Sequence, residues 1–194
     1  MTGIHPGPVV ALVAAAGSGS RLGGGVPKAL RTLGGLPLVC HSVRRLAAGG
    51  VQRAVVIVAE GLQDRFRVAL DDAPIPCTLV TGGSERQQSV RLGLQAAGDA
   101  AVILVHDAAR PLVPPAVVAA VIASVQAGAV AVVPVLPVVD SIRRITEAGS
   151  MVVDRGRLRA VQTPQGFAYA TLLAAHDHVA REGLEVTDDA SCCE

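Results

Sequence analysis

The stretch VVALVAAAGSGSRLGGGVPK, residues 9–28, decides the fold. Its apolar run at 9–16 lacks polar alternation, which is typical of a strand buried on both faces in a parallel sheet. A glycine-rich turn follows, and we expect Gly17 and Gly19 to adopt positive φ angles there. Such a turn directs backbone N–H groups toward an anion without a Cβ in the way. The stretch therefore predicts a buried strand that leads into an anion-binding loop.

The residues around this turn separate it from two familiar phosphate loops. A Rossmann fingerprint has its third glycine where this chain has Leu22, and a Walker A lysine precedes Ser or Thr, whereas Lys28 precedes Ala29. Arg21 and Lys28 supply the two positive charges that a nucleotide triphosphate needs. The alternative is a glycine-rich surface loop with two solvated cations.

Length, charge and cysteine usage exclude several classes of protein. The 194 residues fit one domain with a sizeable core. The net charge of +1 and the absence of a Lys/Arg-rich block argue against nucleic-acid binding. Prolines interrupt the longest uncharged apolar segment, 111–137, which argues against a membrane span. The four cysteines lack C-x-x-C spacing, and no basic region precedes the first apolar run, so we expect a cytoplasmic protein with reduced thiols.

Apolar runs and helical spacing alternate along the rest of the chain. This order implies right-handed crossovers and a mostly parallel sheet with helices on both faces, that is, an α/β Rossmann-like three-layer sandwich. Helices are predicted at 37–48, 63–70, 114–126 and 169–180, and further strands at 53–59, 78–81, 101–105 and 129–135.

A second glycine-containing loop, TGGSERQQSV at 81–90, follows the third predicted strand. Its glycines and Ser84 precede residues at helical spacing, which indicates a helix N-terminus that could receive a polar edge of a ligand. In open α/β sheets, ligands bind beyond the carboxyl ends of the strands. The alternative is an ordinary helix cap without a ligand.

The fourth predicted strand leads into VHDAARP at 105–111. A carboxylate at the carboxyl end of a strand, beside a triphosphate, suits Mg²⁺, so Asp107 is the candidate metal ligand. The alternative is a structural turn in which Asp107 caps the next segment and pairs with Arg110. No Ser or Cys nucleophile motif accompanies His106, so we do not expect it to be a catalytic base.

Residues 137–162, which we call the arm, differ from the rest of the chain. β-type alternation and many charges predict a polar hairpin that leaves the sheet. An isolated hairpin is marginally stable in water, so a partner subunit would give it a surface to pack on. The charged and hydroxyl residues concerned are Asp140, Ser141, Arg143, Arg144, Asp154, Arg155, Arg157 and Arg159.

Seven motifs together carry a resemblance to a known family. They are AAGSGSRL, PK, GGSERQQSV, VHDAARP, VDSIRR, VQTPQGF and VTDDAS. In order and spacing they resemble the 2-C-methyl-D-erythritol 4-phosphate cytidylyltransferases, a branch of the nucleotidyltransferases. The resemblance implies a single domain with the nucleotidyltransferase fold over residues 1–194, with a protruding β-arm at about 137–162 through which two copies form a homodimer.

The resemblance also implies an activity. CTP and 2-C-methyl-D-erythritol 4-phosphate would give a CDP-alcohol and pyrophosphate in the non-mevalonate isoprenoid pathway, with Mg²⁺ bridging the phosphates. Transition-state stabilisation is implied for Arg21 and Lys28, and metal binding for Asp107. Nucleotide binding is implied for Ala15, Ala16, Gly17, Gly19, Gly82, Gly83, Ser84, Ser89 and Ala108. Binding of the alcohol phosphate is implied for Asp107, Ser141, Thr163, Thr187 and, from the neighbouring subunit, Arg155.

Two departures from the family pattern leave alternatives open. Ser141 replaces a more usual Thr, and family members continue into a final strand with a Lys that the 194 residues do not contain. One alternative is a cytidylyltransferase for another alcohol phosphate, such as ribitol 5-phosphate. The other is an inactive nucleotide-binding remnant, which would bind CTP without turning it over.

Overall fold

The computed structural model describes residues 7–17, 25–184, 186 and 188–193, which alternate between strands and helices. In chain order the strands are β1 (Val9–Ala14), β2 (Thr32–Leu33), β3 (Leu36–Pro37), β4 (Arg53–Val58), β5 (Cys77–Thr81), β6 (Val102–Asp107), β7 (Ala131–Val132), β8 (Val135–Pro137), β9 (Ile142–Thr146), β10 (Gly149–Val153), β11 (Arg159–Val161) and β12 (Gln165–Ala168). The α-helices are α1 (Leu38–Ala48), α2 (Gln63–Ala69), α3 (Arg86–Ala97), α4 (Pro115–Gln126) and α5 (Tyr169–Glu182).

Six of these strands form the central sheet, in the order β5-β4-β1-β6-β12-β7. The first four are parallel, and β12 runs antiparallel to both β6 and β7, so the predicted mostly parallel sheet is confirmed. The chain builds outward from β1 to β4 and β5 on one side, and then places β6 on the other side. The carboxyl ends of β1 and β6 therefore lie side by side, with Ala14 opposite Asp107. This change of direction creates the crevice in which such sheets bind ligands.

The two faces of β1 belong to two different cores. Val9, Ala11 and Val13 face a core formed with α1, α2 and α4, while Val10 and Leu12 face a core formed with α3 and α5. All five side chains are buried, as the uninterrupted apolar run of the sequence predicts. Helices therefore cover both faces, and the predicted three-layer α/β architecture is confirmed. Within the described residues, none of the helices has the length and apolar character needed to span a bilayer.

Two predicted strands differ from the observed ones. The strand predicted at 129–135 is divided into β7, in the central sheet, and β8, which pairs with β11 instead. Pro134 lies at the break, where it offers no N–H and its carbonyl accepts a hydrogen bond from Gln162 N at 2.8 Å. The strand predicted at 101–105 extends to Asp107, so His106 and Asp107 belong to the strand itself rather than to the loop after it.

The arm consists of a short base and a hairpin. The base is the β8–β11 pair, in which β8 begins at Val135, two residues before the predicted start of the arm, and the hairpin is the antiparallel pair of β9 and β10. Along the hairpin strands every residue is exposed except the partly buried Ile142 and Val153, which face each other at its start. In a single chain the hairpin thus has little apolar surface to pack on.

Candidate functional site

A pocket of about 740 Å³ lies at the carboxyl ends of β1 and β6. Three segments supply its walls: the loop after β1, the loop between β5 and α3, and the turn after β6. Its size is in the usual range for a site that holds a small molecule. The described residues place the pocket where the change in strand direction predicts one.

The loop after β1 is tied to the neighbouring strands by its backbone. Ala15 N donates to Ile57 O at 2.8 Å, and Ala108 N donates to Ala14 O at 3.1 Å. Ala15, Ala16, Gly17 and Ala108 all line the pocket. The expectation of a positive φ at Gly17 is wrong, because its backbone does not adopt that region. A Cβ at Gly17 would meet no atom within 4 Å, so the packing of the described residues does not require a glycine there either.

Lys28 stands on the wall beside this loop. It begins a one-turn 3-10 helix, Lys28–Leu30, whose Ala29 is buried in the core between the sheet and α1. Leu30 N donates to Pro27 O at 2.9 Å and closes the turn. Burial of Ala29 therefore fixes the backbone while the Lys28 side chain stays exposed at the pocket. Gly19 and Arg21, the other predicted residues of this loop, lie outside the described residues.

The loop between β5 and α3 is shaped by Ser89. Its buried Oγ accepts a hydrogen bond from Gly83 N at 3.0 Å and donates to Glu85 O at 2.8 Å. Gln88 Oε1 accepts from Ser84 N at 3.0 Å. Gly82 leaves no room for a side chain, because a Cβ there would lie 2.8 Å from Ser89 Oγ.

The contacts within this loop give its predicted residues distinct positions. Gly83, Ser84 and Ser89 line the pocket, and Gly82 packs against Ser89 beneath them. Glu85, rather than Ser84, is the N-cap residue of α3, and it makes no side-chain capping hydrogen bond. Side-chain hydrogen bonds of Ser89 and Gln88 therefore hold the backbone of this edge of the pocket.

Asp107 lies at the pocket edge between two arginines. Its Oδ1 accepts from Arg86 Nη1 at 3.0 Å, and its Oδ2 accepts from Arg110 Nε at 3.1 Å. Burial would raise the pKa of the Asp107 carboxyl, but the two guanidinium groups outweigh burial and hold the pKa below its ordinary value. Asp107 is therefore charged at neutral pH. The pair with Arg110 is the one that the structural-turn alternative predicts.

Arg86 also contacts a second carboxylate, which the sequence analysis does not single out. Its Nη2 donates to Asp189 Oδ2 at 2.9 Å, and the Asp189 side chain is only 3% exposed. Burial would lower the pKa of Arg86, but Asp189 and Asp107 outweigh burial and raise it. The adjacent acids Asp188 and Asp189 are the available signal in the sequence, yet nothing local indicates which cation faces them.

Two buried polar side chains lie beneath Asp107. His106 is fully buried, its Nε2 donates to Arg110 O at 3.2 Å, and its Nδ1 accepts from Thr163 Oγ1 at 2.9 Å. Burial lowers the pKa of His106 to about 4, so the ring is neutral near pH 7. Thr163 Oγ1 also accepts from Asp107 N at 3.4 Å. Thr163 thus contacts both the backbone of Asp107 and the side chain of His106. His106 in turn holds the turn after β6 through Arg110 O.

The predicted residues of the arm lie apart from this pocket. Ser141 and Arg155 are exposed and are not among the described residues that line it. The Arg155 guanidinium donates to Val139 O within the same arm. Thr187 falls outside the described residues. The structure of one chain therefore brings together those predicted nucleotide residues that it describes, but it does not bring Ser141 or Arg155 to them.

Asp107 is the protein ligand that we expect for a divalent cation at the pocket edge. Among the described residues no group of three or more His, Cys, Asp or Glu side chains is arranged to hold a metal ion. Asp107 offers a charged carboxylate there, and Mg²⁺ is commonly held by one or two carboxylates together with phosphate oxygens of a substrate. The residues present therefore fit a cation that arrives with a polyphosphate.

Taken together, the pocket presents cations and glycine-lined backbone to a small anionic molecule. Lys28, Arg86 and Arg110 all line it, against the carboxylates of Glu85 and Asp107. Since Asp107 is neutralised by two arginines, Lys28 remains as a cation for which no acidic partner is seen among the described residues. Such a site can bind a polyanion and neutralise negative charge that develops on it.

Comparisons with known proteins agree with this geometry. A family model described as 2-C-methyl-D-erythritol 4-phosphate cytidylyltransferase matches residues 9–194. The chain is 46% identical to the protein of that name from Streptomyces coelicolor over 207 residues, covering 99% of this chain and 75% of that protein. It is 49% identical to the one from Rhodococcus opacus over 191 residues, covering 97% and 82%.

A solved structure is similar as well. The 2-C-methyl-D-erythritol 4-phosphate cytidylyltransferase from Thermus thermophilus superposes with a TM-score of 0.78 at 35% sequence identity, covering 96% of this chain and 83% of that one. Sequence and fold therefore lead to the same group of proteins. The chain belongs to the 2-C-methyl-D-erythritol 4-phosphate cytidylyltransferase family.

Proposed function

We propose that this protein transfers a cytidylyl group from CTP to 2-C-methyl-D-erythritol 4-phosphate, giving 4-diphosphocytidyl-2-C-methyl-D-erythritol and pyrophosphate in isoprenoid biosynthesis. The observation that carries the proposal is the pocket at the junction of β1 and β6, in a chain that belongs to this family. Its glycine-lined loops suit a nucleotide, and its exposed lysine suits a triphosphate.

The reaction needs no covalent bond to the protein. A phosphate oxygen of the alcohol phosphate attacks the α-phosphorus of CTP, a new P–O–P bond forms, and the bond to the bridging oxygen of the leaving pyrophosphate breaks. The protein contributes by positioning the two substrates and by stabilising the charge that develops on the phosphoryl oxygens. We assign that stabilisation to Lys28, and to Arg21 on the part of the loop that lies outside the described residues.

In this proposal the loop after β1 and the loop between β5 and α3 bind different parts of CTP. We assign the triphosphate to the loop after β1, with Ala15, Ala16, Gly17 and Gly19, and to Ala108 at the end of β6. We assign the cytidine to the loop before α3, whose shape depends on the contact between Ser89 and Gly83. The nucleotide-binding residues of that loop are Gly82, Gly83, Ser84 and Ser89.

Mg²⁺ is part of the proposal, with Asp107 as its protein ligand. When bound, the cation would neutralise phosphate charge and orient the triphosphate. Asp107 would reach it from the end of β6, where Thr163 and His106 hold the backbone of that strand end. Arg86 and Arg110 keep the carboxylate ionised, and the cation would bind an oxygen that also accepts from one of these guanidinium groups.

The arm supplies the alcohol-phosphate side of the site in this proposal. Of the thirteen large apolar residues that are exposed among the described residues, seven lie between 135 and 161, which suits a surface covered by a second copy. The single domain then comprises 1–194 with its dimerisation arm at about 137–162. In the homodimer, Arg155 would reach the neighbouring site, and Ser141, Thr163, Thr187 and Asp107 would contact the alcohol phosphate.

The cellular location completes the proposal. We place the protein in the cytoplasm, because all four cysteines are free thiols, as suits a reducing compartment. Burial raises the pKa of Cys40 and raises the pKa of Cys77 to about 11, so both are expected to stay protonated and unreactive.

Pyrophosphate release tests the proposed function directly. Purified protein is incubated with CTP, Mg²⁺ and 2-C-methyl-D-erythritol 4-phosphate, and parallel reactions contain ribitol 5-phosphate or no acceptor. We expect release only with the methylerythritol phosphate. Turnover with ribitol 5-phosphate alone would overturn the choice of acceptor. Binding of CTP by calorimetry without turnover on either acceptor would overturn the assignment as an enzyme and favour a nucleotide-binding remnant.

A further inference from the structure

Arg86 connects the pocket edge to a buried residue outside the pocket. One end of its guanidinium contacts Asp107 at the pocket edge, and the other contacts Asp189, which is buried beside α5. Asp107 and Asp189 are far apart in sequence, yet the planar fork of one arginine spans both. Arginine suits this task because its donors are fixed in one plane.

Asp189 is itself held in place. Its Oδ1 lies 3.3 Å from Nε2 of His176, whose side chain is 1% exposed on α5. The buried imidazole of His176 therefore lies against the carboxylate that receives Arg86. The turn that carries Asp189 is closed locally, since Asp188 Oδ1 accepts from Ser191 N at 2.9 Å. Arg86 is thus anchored on a buried carboxylate whose turn is closed by a local hydrogen bond.

We propose that Arg86 is a positioning residue for the cytidylyl transfer: anchored on buried Asp189, it holds the Asp107 carboxylate in its working orientation at the pocket edge. This proposal rests on the proposed function and deepens it, because it gives Asp189, which does not line the pocket among the described residues, an effect on the reaction. The chain of contacts runs from α5 through Asp189 and Arg86 to Asp107.

Arg110 also contacts Asp107, but its second partner differs from that of Arg86. It contacts Asp107 Oδ2, and its Nη1 donates to Gln162 Oε1 at 2.7 Å at the end of the arm. Gln162 is neutral, and the Arg110 side chain is about as exposed as that of Arg86, at 43% against 41%. Arg86 is the one of these two arginines whose second contact is a buried charge. We therefore expect Arg86 to set the orientation of Asp107 more strongly than Arg110 does.

Substitution of Asp189 distinguishes a positioning role of Arg86 from an effect of charge alone. Asp189→Asn removes a negative charge near the pocket, so an effect of charge alone would leave CTP binding unchanged or make it tighter. Positioning predicts instead that kcat falls roughly tenfold or more while CTP affinity, measured by calorimetry, is retained. Arg86→Gln should lower kcat by roughly ten- to a hundredfold and also weaken CTP binding, since a cation leaves the pocket.

The double variant tests whether the two residues act together. If Asp189 acts through Arg86, Arg86→Gln with Asp189→Asn should be no slower than Arg86→Gln alone. The matched control is Arg91→Gln, on the same helix, because Arg91 pairs with Asp177 and is 42% exposed against 41% for Arg86. We expect Arg91→Gln to match the wild type in both kcat and CTP affinity.

A merely structural role would give a different result. Asp189→Asn would then lower the unfolding midpoint, while kcat of the folded protein at lower temperature would equal the wild-type value, and that outcome overturns the proposal. If Asp189→Asn does not fold, Arg86→Lys decides, because an ammonium keeps the charge but cannot hold both carboxylates in one plane. A wild-type kcat in Arg86→Lys overturns the proposal as well.

Failure of the proposed function is distinguishable from failure of this inference. Wild-type protein without pyrophosphate release would remove the function itself. In that case the CTP affinities of Arg86→Gln and Arg91→Gln can still be compared by titration, which needs no turnover. Equal affinities would overturn the assignment of Arg86 to the nucleotide pocket. Wild-type turnover together with unchanged kcat in the Arg86 and Asp189 variants would remove only the positioning role.

Discussion

The pocket end of the central sheet and the arm are built in opposite ways. At the pocket, backbone hydrogen bonds and a buried serine fix each loop, and fully buried strands stand behind it. In the arm, almost every hairpin residue is exposed, and Arg155 contacts only its own arm among the described residues. Both regions carry predicted site residues, but one chain completes only the first.

This difference indicates which part of the reaction each region governs. Groups held by the core can be preorganised for charge stabilisation before a ligand arrives. Groups on an exposed hairpin need a second surface before they are fixed, because the hairpin buries little of its own apolar area. We therefore expect changes at the pocket to affect chemistry strongly, and changes on the arm to affect association while leaving the stability of one chain intact.

The largest effect is expected for Lys28→Ala. Loss of one donor to the developing phosphoryl charge should lower kcat by roughly a hundred- to a thousandfold. The thermal unfolding midpoint should stay unchanged, since the Lys28 side chain is exposed. Arg65→Ala, on the exposed side of α2, is the control. Turnover at the wild-type rate in Lys28→Ala would remove this residue from the mechanism.

Lys28 also offers a direct spectroscopic measurement. It is the only lysine in the sequence, so reductive methylation with ¹³C-formaldehyde labels its ε-amino group and the N-terminal amine alone. We expect CTP to shift the Lys28 methyl resonance, because a phosphate close to the amine changes its surroundings. A resonance that stays unmoved at saturating CTP would contradict the proposed contact.

An intermediate effect is expected for Gly82→Ala, at the base of the second loop. A Cβ there would lie 2.8 Å from Ser89 Oγ, which is hydrogen-bonded to Gly83 N and Glu85 O, and 3.1 Å from Ala16 Cβ, which packs against the core. Overpacking of this kind should lower the free energy of unfolding by about 1–3 kcal/mol. Displacement of Ser89 should also weaken CTP binding, by about tenfold if one hydrogen bond of the loop is lost.

Urea unfolding and calorimetric CTP titration measure both consequences. Gly25→Ala is the matched control for stability, because a Cβ at Gly25 would meet no atom within 4 Å. If Gly82→Ala kept wild-type stability and wild-type CTP affinity, the loop would be able to shift freely, and the contrast between a rigid pocket and an adaptable arm would fail.

The smallest effect on a single chain is expected for the arm. Ile145 and Val152 are 78% and 68% exposed and lie on the same face of the hairpin. The double change Ile145→Ser with Val152→Ser should therefore alter the unfolding free energy of one chain by less than about 0.5 kcal/mol. If the arm forms the homodimer interface, the dissociation constant of the dimer should rise by roughly tenfold or more.

A dilution series in sedimentation velocity measures this association. Val68→Ser is the control, because Val68 is 79% exposed on α2, away from the arm. An unchanged dimer in the arm variant, or a wild-type protein that is monomeric at every concentration, would exclude the arm as the interface. Arg155 would then have no neighbouring site to reach.

Much of the fold could be predicted from local patterns. The uninterrupted apolar runs of β1 and β4 indicated burial on both faces, and helical spacing located α1 and α5, because burial and periodicity are properties of neighbouring residues. The division of one predicted strand into β7 and β8 could not be foreseen in the same way. It depends on Pro134 and on the partner that each half meets across the sheet.

The candidate site shows the same division. By itself, the sequence determined two glycine-containing loops at the ends of strands, a lysine and an acidic residue beside them, and a polar arm. Only the tertiary structure decided that Gly17 does not adopt a positive φ, and that Arg86 joins Asp107 to Asp189, which is 103 residues away in sequence. The physical reason is range: hydrophobic periodicity is read over a few residues, whereas an ion pair forms only where the packing of distant elements brings two charges together.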